Sequence, residues 1–474
     1  MVHASPRVDP RLAGRAHTGG FDVAVVGGGA GGIAAAQTAA RLGGSTLLVQ
    51  DGPIGGDCTF TGCVPSKALL EAAAAGVGFE AAMSRVRAAI GTVAGNEDDD
   101  AMARHGIAVR HGRGVLRGSG VVEVDGQPVP GDRIILATGS RPVLPRIDGL
   151  DRAEPLTNET VFDLARRPRS LAILGGGPIG CELAQAFARL GTTVTIVEVL
   201  DRLLPREEPE ASEIVARALA ADGVTIRTGT TVAGVELVSG GARLHLGSED
   251  RVEAERVLVA VGRVPATAGL GLYEAGVAVD EGGFIGTADT MATNVGGIWA
   301  VGDVTGRLPF THAAAHMGRI AAHNALDRWA RIRPRRFDTT AVRWVTFTDP
   351  EVAHVGLTET EAADRGGRVA VVPFDAFDRA IAAGRTDGYF KLIAGPRRLL
   401  GNIGGAGWLG ATAVGPRGGE LVHEVALGIR TGMFAGRLAQ TVHAYPTWSI
   451  AVQLAAAQLF MDVDGRGHRP AARS

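Results

Sequence analysis

Two stretches of this chain repeat one design, "FDVAVVGGGAGGIAAAQTAARLGGSTLLVQD" and "SLAILGGGPIGCELAQAFARLGTTVTIVEVLDR". In each, a short apolar run fit for a buried parallel strand enters a glycine-rich turn. An Ala-rich helical run and a second apolar strand follow. Gly27, Gly29 and Gly32 form G-x-G-x-x-G in the first copy, and Gly175, Gly177 and Gly180 in the second. Such glycines permit a tight turn, let the backbone approach a pyrophosphate, and bring helix close to strand. The helix N-terminus then turns its free N–H groups toward the phosphates. One G-x-G-x-x-G is weak in a chain with 69 glycines; the flanking strand and helix make it specific. Two dinucleotide sites in one chain imply two cofactors that exchange electrons. The bland alternative, two glycine turns that bind nothing, fits poorly with both contexts.

The ends of the second strands differ. The second copy ends in Glu198, whose carboxylate would accept from a ribose 2′-hydroxyl and repel a 2′-phosphate, so NADH is expected over NADPH. The first copy has Gln50 there, followed by Asp51. A glutamine amide can hydrogen-bond a diol, and Asp51 can serve instead; the residues leave both open.

Bulk properties narrow the class. A chain of 474 residues builds roughly two to four domains. A formal net charge of −2 gives no basic field for nucleic acid. Three cysteines are too few for a secreted disulfide scaffold, which points to a reducing cytoplasm. The opening residues lack the apolar run of a signal peptide and read as a disordered arm over 1–20. No apolar run approaches the ~20 residues that span a bilayer, so no membrane partner is expected. Of 48 Lys plus Arg, only Lys67 and Lys391 are lysine.

The organisation follows from the motifs. Residues 21–150 form the first nucleotide domain, including "RIILATGSRP". Residues 151–275 form an inserted second. "GGIWAVGDVTG" is again strand then turn, and 276–335 return the chain to the first domain. From about residue 341 to 474 the pattern becomes α+β without a phosphate turn.

"GGDCTFTGCVPSKALL" holds Cys58 and Cys63. A metal clip, two unrelated buried thiols and a redox pair compete. Zinc usually takes four ligands in two close pairs, and nothing nearby supplies the second pair. On a regular helix, residues five apart have Cα atoms roughly 8–9 Å apart, beyond the ~7 Å limit of a disulfide. A bridge therefore needs a distorted segment, which Gly62 permits. A small strained ring suits cycling rather than structure.

These residues resemble the redox-active signature of the class I pyridine nucleotide–disulfide oxidoreductases, the family of dihydrolipoyl dehydrogenase, glutathione reductase and mercuric reductase. The resemblance runs on through "ATGSRP", "GGGPIGCELA", "VGRVPAT", "VGDVTG" and "FTDPEVAHVGLTETEA", in family order, and is nearest to the mercuric-reductase-like branch. It implies an α/β fold of two Rossmann-like FAD- and NAD(P)-binding domains plus an α+β C-terminal dimerisation domain, in a homodimer. It implies FAD on Gly27, Gly29 and Gly32, with Gln50 or Asp51, Gly114, Thr138, Gly139, Ser140 and Asp303 lining it. Lys67 would sit by the flavin and pair with Glu182. NAD(H) would lie on Gly175, Gly177, Gly180, Glu198 and Gly262. Cys63 would be the thiol nearest the flavin and Cys58 the one that meets substrate. A thiolate near a helix start and an ammonium has a lowered pKa. Cys181 reads as a small core residue.

One departure from the family bears on the acceptor. Disulfide-reducing members carry His-Pro-Thr-x-x-Glu near the C-terminus, donated by the partner subunit, and this chain reads "HAYPTWSI". Tyr445 stands in place of that histidine and Ile450 in place of the glutamate, with His443 two residues early. A phenol with a pKa near ~10 is a poor base at neutral pH. Weak activity on small disulfides is expected, and a metal ion or quinone is the expected acceptor, with Tyr445 at the acceptor site. Mercuric reductases have a tyrosine at the metal site but end in a vicinal cysteine pair. The tail "GRGHRPAARS" has none, so authentic mercury detoxification is not expected, and no resident metal is. A low-molecular-weight disulfide reductase using His443, and a flavin redox sensor that turns over poorly, are the other readings. In "YPTWSIAVQLAAAQLF", Ile450, Leu454, Ala457 and Phe460 recur at helical spacing and mark either a subunit interface or an ordinary core helix.

Overall fold

The computed structural model describes residues 20–118, 120–247, 250–397, 401–402 and 406–473. The arm expected over 1–20 lies, except for Gly20, outside the described residues. The chain forms two compact units.

The first unit draws on Met1–Pro65, Ser84–Val143 and Gly262–Phe337. Its centre is a five-stranded parallel sheet in the order Ile298–Ala300, Ile134–Leu136, Val23–Val26, Thr46–Gln50, Ile107–His111. Strand Val23–Val26 is buried along its whole length, as its unbroken apolar run requires of a parallel strand covered on both faces. Helix Ala30–Arg41 follows the first glycine turn and packs closely against helix Thr311–Leu326. Glycine makes that approach possible: a Cβ on Gly318 would lie 2.2 Å from the Gly31 carbonyl oxygen. An antiparallel meander (Gly114–Leu116, Val121–Val124, Gln127–Pro130) and a short pair (Ser140–Pro142 with Arg263–Pro265) complete the sheets of this unit.

The second unit draws on Ser66–Met83, Leu144–Val261 and Asp338–Ser474. Four parallel strands run in the order Thr225–Arg227, Thr193–Val197, Ser170–Leu174, Arg256–Val259, beside a three-stranded meander over Gly234–Val238, Gly241–Leu246 and Asp250–Ala254. A six-stranded antiparallel sheet follows, in the order Arg343–Thr346, Glu351–Gly356, Gly407–Gly415, Tyr389–Gly395, Arg368–Pro373, Arg469–Pro470. Its core gathers Phe374, Phe377, Phe390 and Trp408 under helices Gly418–Thr431 and Ile450–Gln458. The last helix is mostly apolar, broken by Gln453 and Gln458. It turns Ala451, Val452, Ala455 and Ala456 into this core, while Ile450, Leu454 and Ala457 are half-buried and Phe460, just beyond it, is 50% exposed. Among the described residues no helix is long and apolar enough to cross a membrane.

Gly318→Ala should destabilise the protein by about 1–3 kcal/mol, because the added methyl has no room between the two helices. Urea unfolding measures this; an unchanged midpoint would contradict the close helix approach.

Candidate functional site

Each glycine turn is shaped by backbone crowding. Gly27 has φ +106°, and a Cβ there would lie 2.3 Å from the Ala137 carbonyl oxygen. A Cβ on Gly32 would lie 1.7 Å from the carbonyl oxygen of Gly27. The second turn repeats this: Gly175 has φ +108°, and a Cβ on Gly180 would fall 2.0 Å from its carbonyl oxygen. The middle glycines are open. A Cβ on Gly29 would come no nearer than 3.9 Å to anything, and one on Gly177 would meet nothing within 4 Å. Helices Ala30–Arg41 and Pro178–Arg189 start from these glycines without a side-chain cap, which suits anionic ligands at their N-termini.

The strand-end residues brace the turns. Glu198 is 7% exposed and accepts from Gly176 N–H at 2.6 Å and Leu200 N–H at 2.8 Å. Gln50 occupies the same place in the first half: its Oε1 accepts from Gly28 N–H, and its Nε2 donates to the carbonyls of Asp51 and Pro53. Asp51 is exposed.

The cysteine segment is broken where a disulfide-competent pair needs it. Helix Gly56–Phe60 ends, and helix Cys63–Ala74 begins after Thr61 and Gly62. A Cβ on Gly62 would lie 2.8 Å from the Asp57 carbonyl oxygen, so the chain folds back tightly enough for the two thiols to hydrogen-bond each other. Both are free thiols. The bond to Cys63, and then burial, push the Cys58 thiol well above its ordinary range, against a hydrogen bond with Thr311. Cys63 Sγ lies 3.5 Å from Thr311 Oγ1, at the first residue of helix Thr311–Leu326. The segment sits directly on the first glycine turn: Gly55 N–H donates to the Gly28 carbonyl at 2.8 Å, and a Cβ on Gly56 would lie 2.8 Å from Gly29 Cα.

A polar network adjoins this loop. Ser140 Oγ donates to Asp303 at 2.7 Å, and Arg263 donates to Ser140 Oγ at 2.7 Å and to its carbonyl at 2.8 Å. Arg263 also pairs with Asp57, immediately before Cys58. Burial raises the Asp57 pKa while Arg263 pulls it down. Asp57 and Arg263 escaped the sequence reading, although both stand inside quoted motifs, "GGDC" and "VGRVPAT". Gly114 packs against Val26 and Val49. Gly139 and Gly262 both have positive φ and open space where a side chain would start.

In the second unit, Lys67 Nζ contacts both carboxylate oxygens of Glu182, at 3.1 and 2.8 Å. It also lies 4.4 Å from the centre of the Phe347 ring. Phe347 N–H donates to the same carboxylate at 3.0 Å. Lys67 stands one turn beyond Cys63 on one helix. Cys181 is fully buried and bonds the Gly176 carbonyl; burial pushes its thiol up. Tyr445 is 69% exposed and donates to Asp378, whose carboxylate raises the phenol pKa. His443 has Nδ1 on the Thr441 carbonyl at 2.9 Å and Nε2 on Glu424 at 3.1 Å. Among the described residues no group of three or more His, Cys, Asp or Glu side chains is placed to hold a metal ion.

The site fits a flavin nucleotide on the first turn: Gly29 is open, and Thr138 Oγ1 is buried without a hydrogen-bond partner. Comparisons with known proteins agree. Residues 21–318 match the pyridine nucleotide-disulphide oxidoreductase family, and 342–456 match that family's dimerisation domain. A mercuric reductase of Streptomyces lividans is 36% identical, over 95% of this chain and 98% of its own. A dihydrolipoyl dehydrogenase of Thermus scotoductus is 35% identical, over 93% and 97%. The structure titled as the Cu(II) complex of the HOCl-induced flavoprotein disulfide reductase RclA from Escherichia coli superposes with a TM-score of 0.85 at 27% identity, covering 93% of this chain and 99% of that one. With its paired glycine turns and adjacent thiols, the chain belongs to the pyridine nucleotide-disulphide oxidoreductases, FAD-dependent enzymes that use NAD(P)H.

Proposed function

We propose that the protein oxidises NADH through FAD and the Cys58–Cys63 pair, and delivers the electrons to a thiophilic metal ion, with a quinone as the next candidate. The observation that carries this reading is the thiol pair seated on the first glycine turn by the Gly55–Gly28 hydrogen bond. FAD, when bound there, supplies a two-electron relay between NADH and the thiols. Thr311, at the start of its helix, favours negative charge on Cys63. Cys58, held protonated, is the outer thiol and gives up its proton when a soft cation binds. Lys67 beside Glu182 places a cation one turn from Cys63. Asp303, Ser140 and Thr138, with Gln50 or Asp51, would hold the flavin nucleotide, and Glu198 the ribose of NADH.

The acceptor class rests on the C-terminal segment. Both ring nitrogens of His443 are engaged by groups near it in the fold, which disfavours it as the proton donor of a disulfide reductase. Tyr445 presents a hydroxyl in place of the family's acid. The named relatives include mercuric reductases and a Cu(II) complex as well as a dihydrolipoyl dehydrogenase, so both acceptor classes occur among them and the choice rests on the C-terminal segment. Half-buried Ile450 and Ala457, with exposed Phe460, Val442 and Tyr445 nearby in sequence, support a homodimer in which Tyr445 serves the partner's Cys58. The domain bounds read from the sequence, with the interface domain at 341–474, belong to the same proposal.

Purified holoprotein with NADH should reduce Hg(II) or Cu(II) faster than lipoamide or glutathione disulfide, which forfeit the roughly 10²–10⁴-fold contribution of a positioned acid. Tyr445→His with Ile450→Glu should raise disulfide reduction from its low base. Strong disulfide reduction by the unaltered protein would contradict the acceptor assignment.

Two-electron reduction should produce a long-wavelength absorbance that depends on a Cys63 thiolate, and Cys63→Ser should lack it. NADH should exceed NADPH in kcat/KM, and Glu198→Ala should narrow the gap. Equal use of both by the unaltered protein would count against Glu198 as the discriminating group.

A further inference from the structure

Behind the second glycine turn lies a buried acid that the proposed electron path leaves unused. Glu207 is 6% exposed and precedes helix Pro209–Ala221. Its Oε1 accepts from Trp344 Nε1–H at 2.6 Å, while its Oε2 is buried without a hydrogen-bond partner. The segment before it runs straight to the turn. Glu207 N–H donates to the Leu204 carbonyl at 2.9 Å, and Leu204 N–H donates to the Gly176 carbonyl at 2.9 Å. Leu204 adopts φ +47°, in the left-handed region. A Cβ on Gly176 would lie 2.5 Å from Leu203 Cδ2, so Leu203 is packed hard beneath the turn whose N–H is held by Glu198.

We propose that Glu207 is a positioning residue for the second dinucleotide turn: as a neutral acid it seats residues 203–208 under Gly176, and its ionisation loosens that seat, so the dinucleotide binds more tightly at lower pH. The proposal rests on the assignment of NAD(H) to this turn.

The surroundings explain why the ionised form is poorly accommodated. On its own segment Glu207 faces Glu208 and Arg206; Arg202, five residues earlier, has a buried Nε without a partner. From strand Arg343–Thr346 comes Trp344, whose ring lies 4.6 Å from that of His354 on the next strand. From strand Tyr389–Gly395 comes Tyr389, whose buried hydroxyl has no partner. Lys391 on that strand is the nearby lysine, 2% exposed, but it is shared by Glu208 at 3.3 Å, Glu210 at 3.3 Å and Glu359 at 3.0 Å. Glu359 is engaged further by Arg469. Burial pushes Glu207 up to about 7, with Glu208 adding to the rise and Trp344 and Arg206 opposing it. A carboxyl raised in the folded state holds its proton more firmly there. Its favourable contribution is therefore present at low pH and lost as pH rises through the folded-state value.

The test is calorimetric titration of oxidised holoprotein with NAD⁺, a probe that does not reduce the flavin. Kd should rise at least about threefold between pH ~6 and ~8. Glu207→Gln keeps an acceptor for Trp344 but cannot ionise, and should flatten the profile. Trp344→Phe removes a donor that favours the ionised form, and should move the rise to higher pH. A pH-independent Kd in the unaltered protein, or an unchanged slope in Glu207→Gln, would overturn the positioning role alone. No binding at any pH would overturn both it and the assignment of NAD(H) to this turn.

Discussion

The cysteine loop is built onto the first glycine turn, and the rest of the site depends on that contact. Gly28 offers its carbonyl to Gly55, and Gly29 and Gly56 meet without side chains between them. A methyl group on Gly56 would collide with Gly29 Cα, so the thiols could not come this close to the dinucleotide turn. The same economy of bulk recurs at Gly62, which lets Cys63 fold back toward Cys58, and at Gly318, which brings helix Thr311–Leu326 onto helix Ala30–Arg41. That last approach places Thr311 beside Cys63. Three backbone contacts thus converge on one pair of sulfur atoms.

The two dinucleotide turns show how one geometry accepts different chemistry. Glu198 and Gln50 occupy corresponding positions and hold corresponding turn amides. The Glu198 carboxylate uses both oxygens on N–H donors and keeps further lone pairs. A glutamine spends its amide hydrogens on the carbonyls of Asp51 and Pro53. The first half therefore braces its own loop through an amide where the second does so through a carboxylate. The two lysines of the chain follow a related rule: each is set against buried glutamate, Lys67 against Glu182 and Lys391 against Glu208 and Glu359.

What was legible in the sequence was local. The glycine spacing and apolar strands declared the α/β class, because turn, strand and helix lie within a few residues of one another. The Cys58–Cys63 spacing, with Gly62 between, announced a broken helix for the same reason. Contacts across the chain were legible only where the family resemblance supplied them, as for Lys67 with Glu182. Arg263 reaches Asp57 across 206 residues, and Trp344 reaches Glu207 across 137; no periodicity links such pairs. Helix Ile450–Gln458 shows a different limit. Its sequence is apolar except at Gln453 and Gln458, so spacing picked out Ile450, Leu454 and Ala457, while the unit's own core takes Ala451, Val452, Ala455 and Ala456, with Leu454 packed against it. A helix with two apolar faces does not say from sequence which one its own sheet will cover.

The central claim is that electrons from NADH come to rest on Cys58 and Cys63. Thiol counting after denaturation tests it most directly. The chain has three cysteines, Cys58, Cys63 and the buried Cys181. Air-oxidised holoprotein should yield one reactive thiol, from Cys181, and the same protein after anaerobic NADH should yield all three. An equal count before and after NADH would contradict the account.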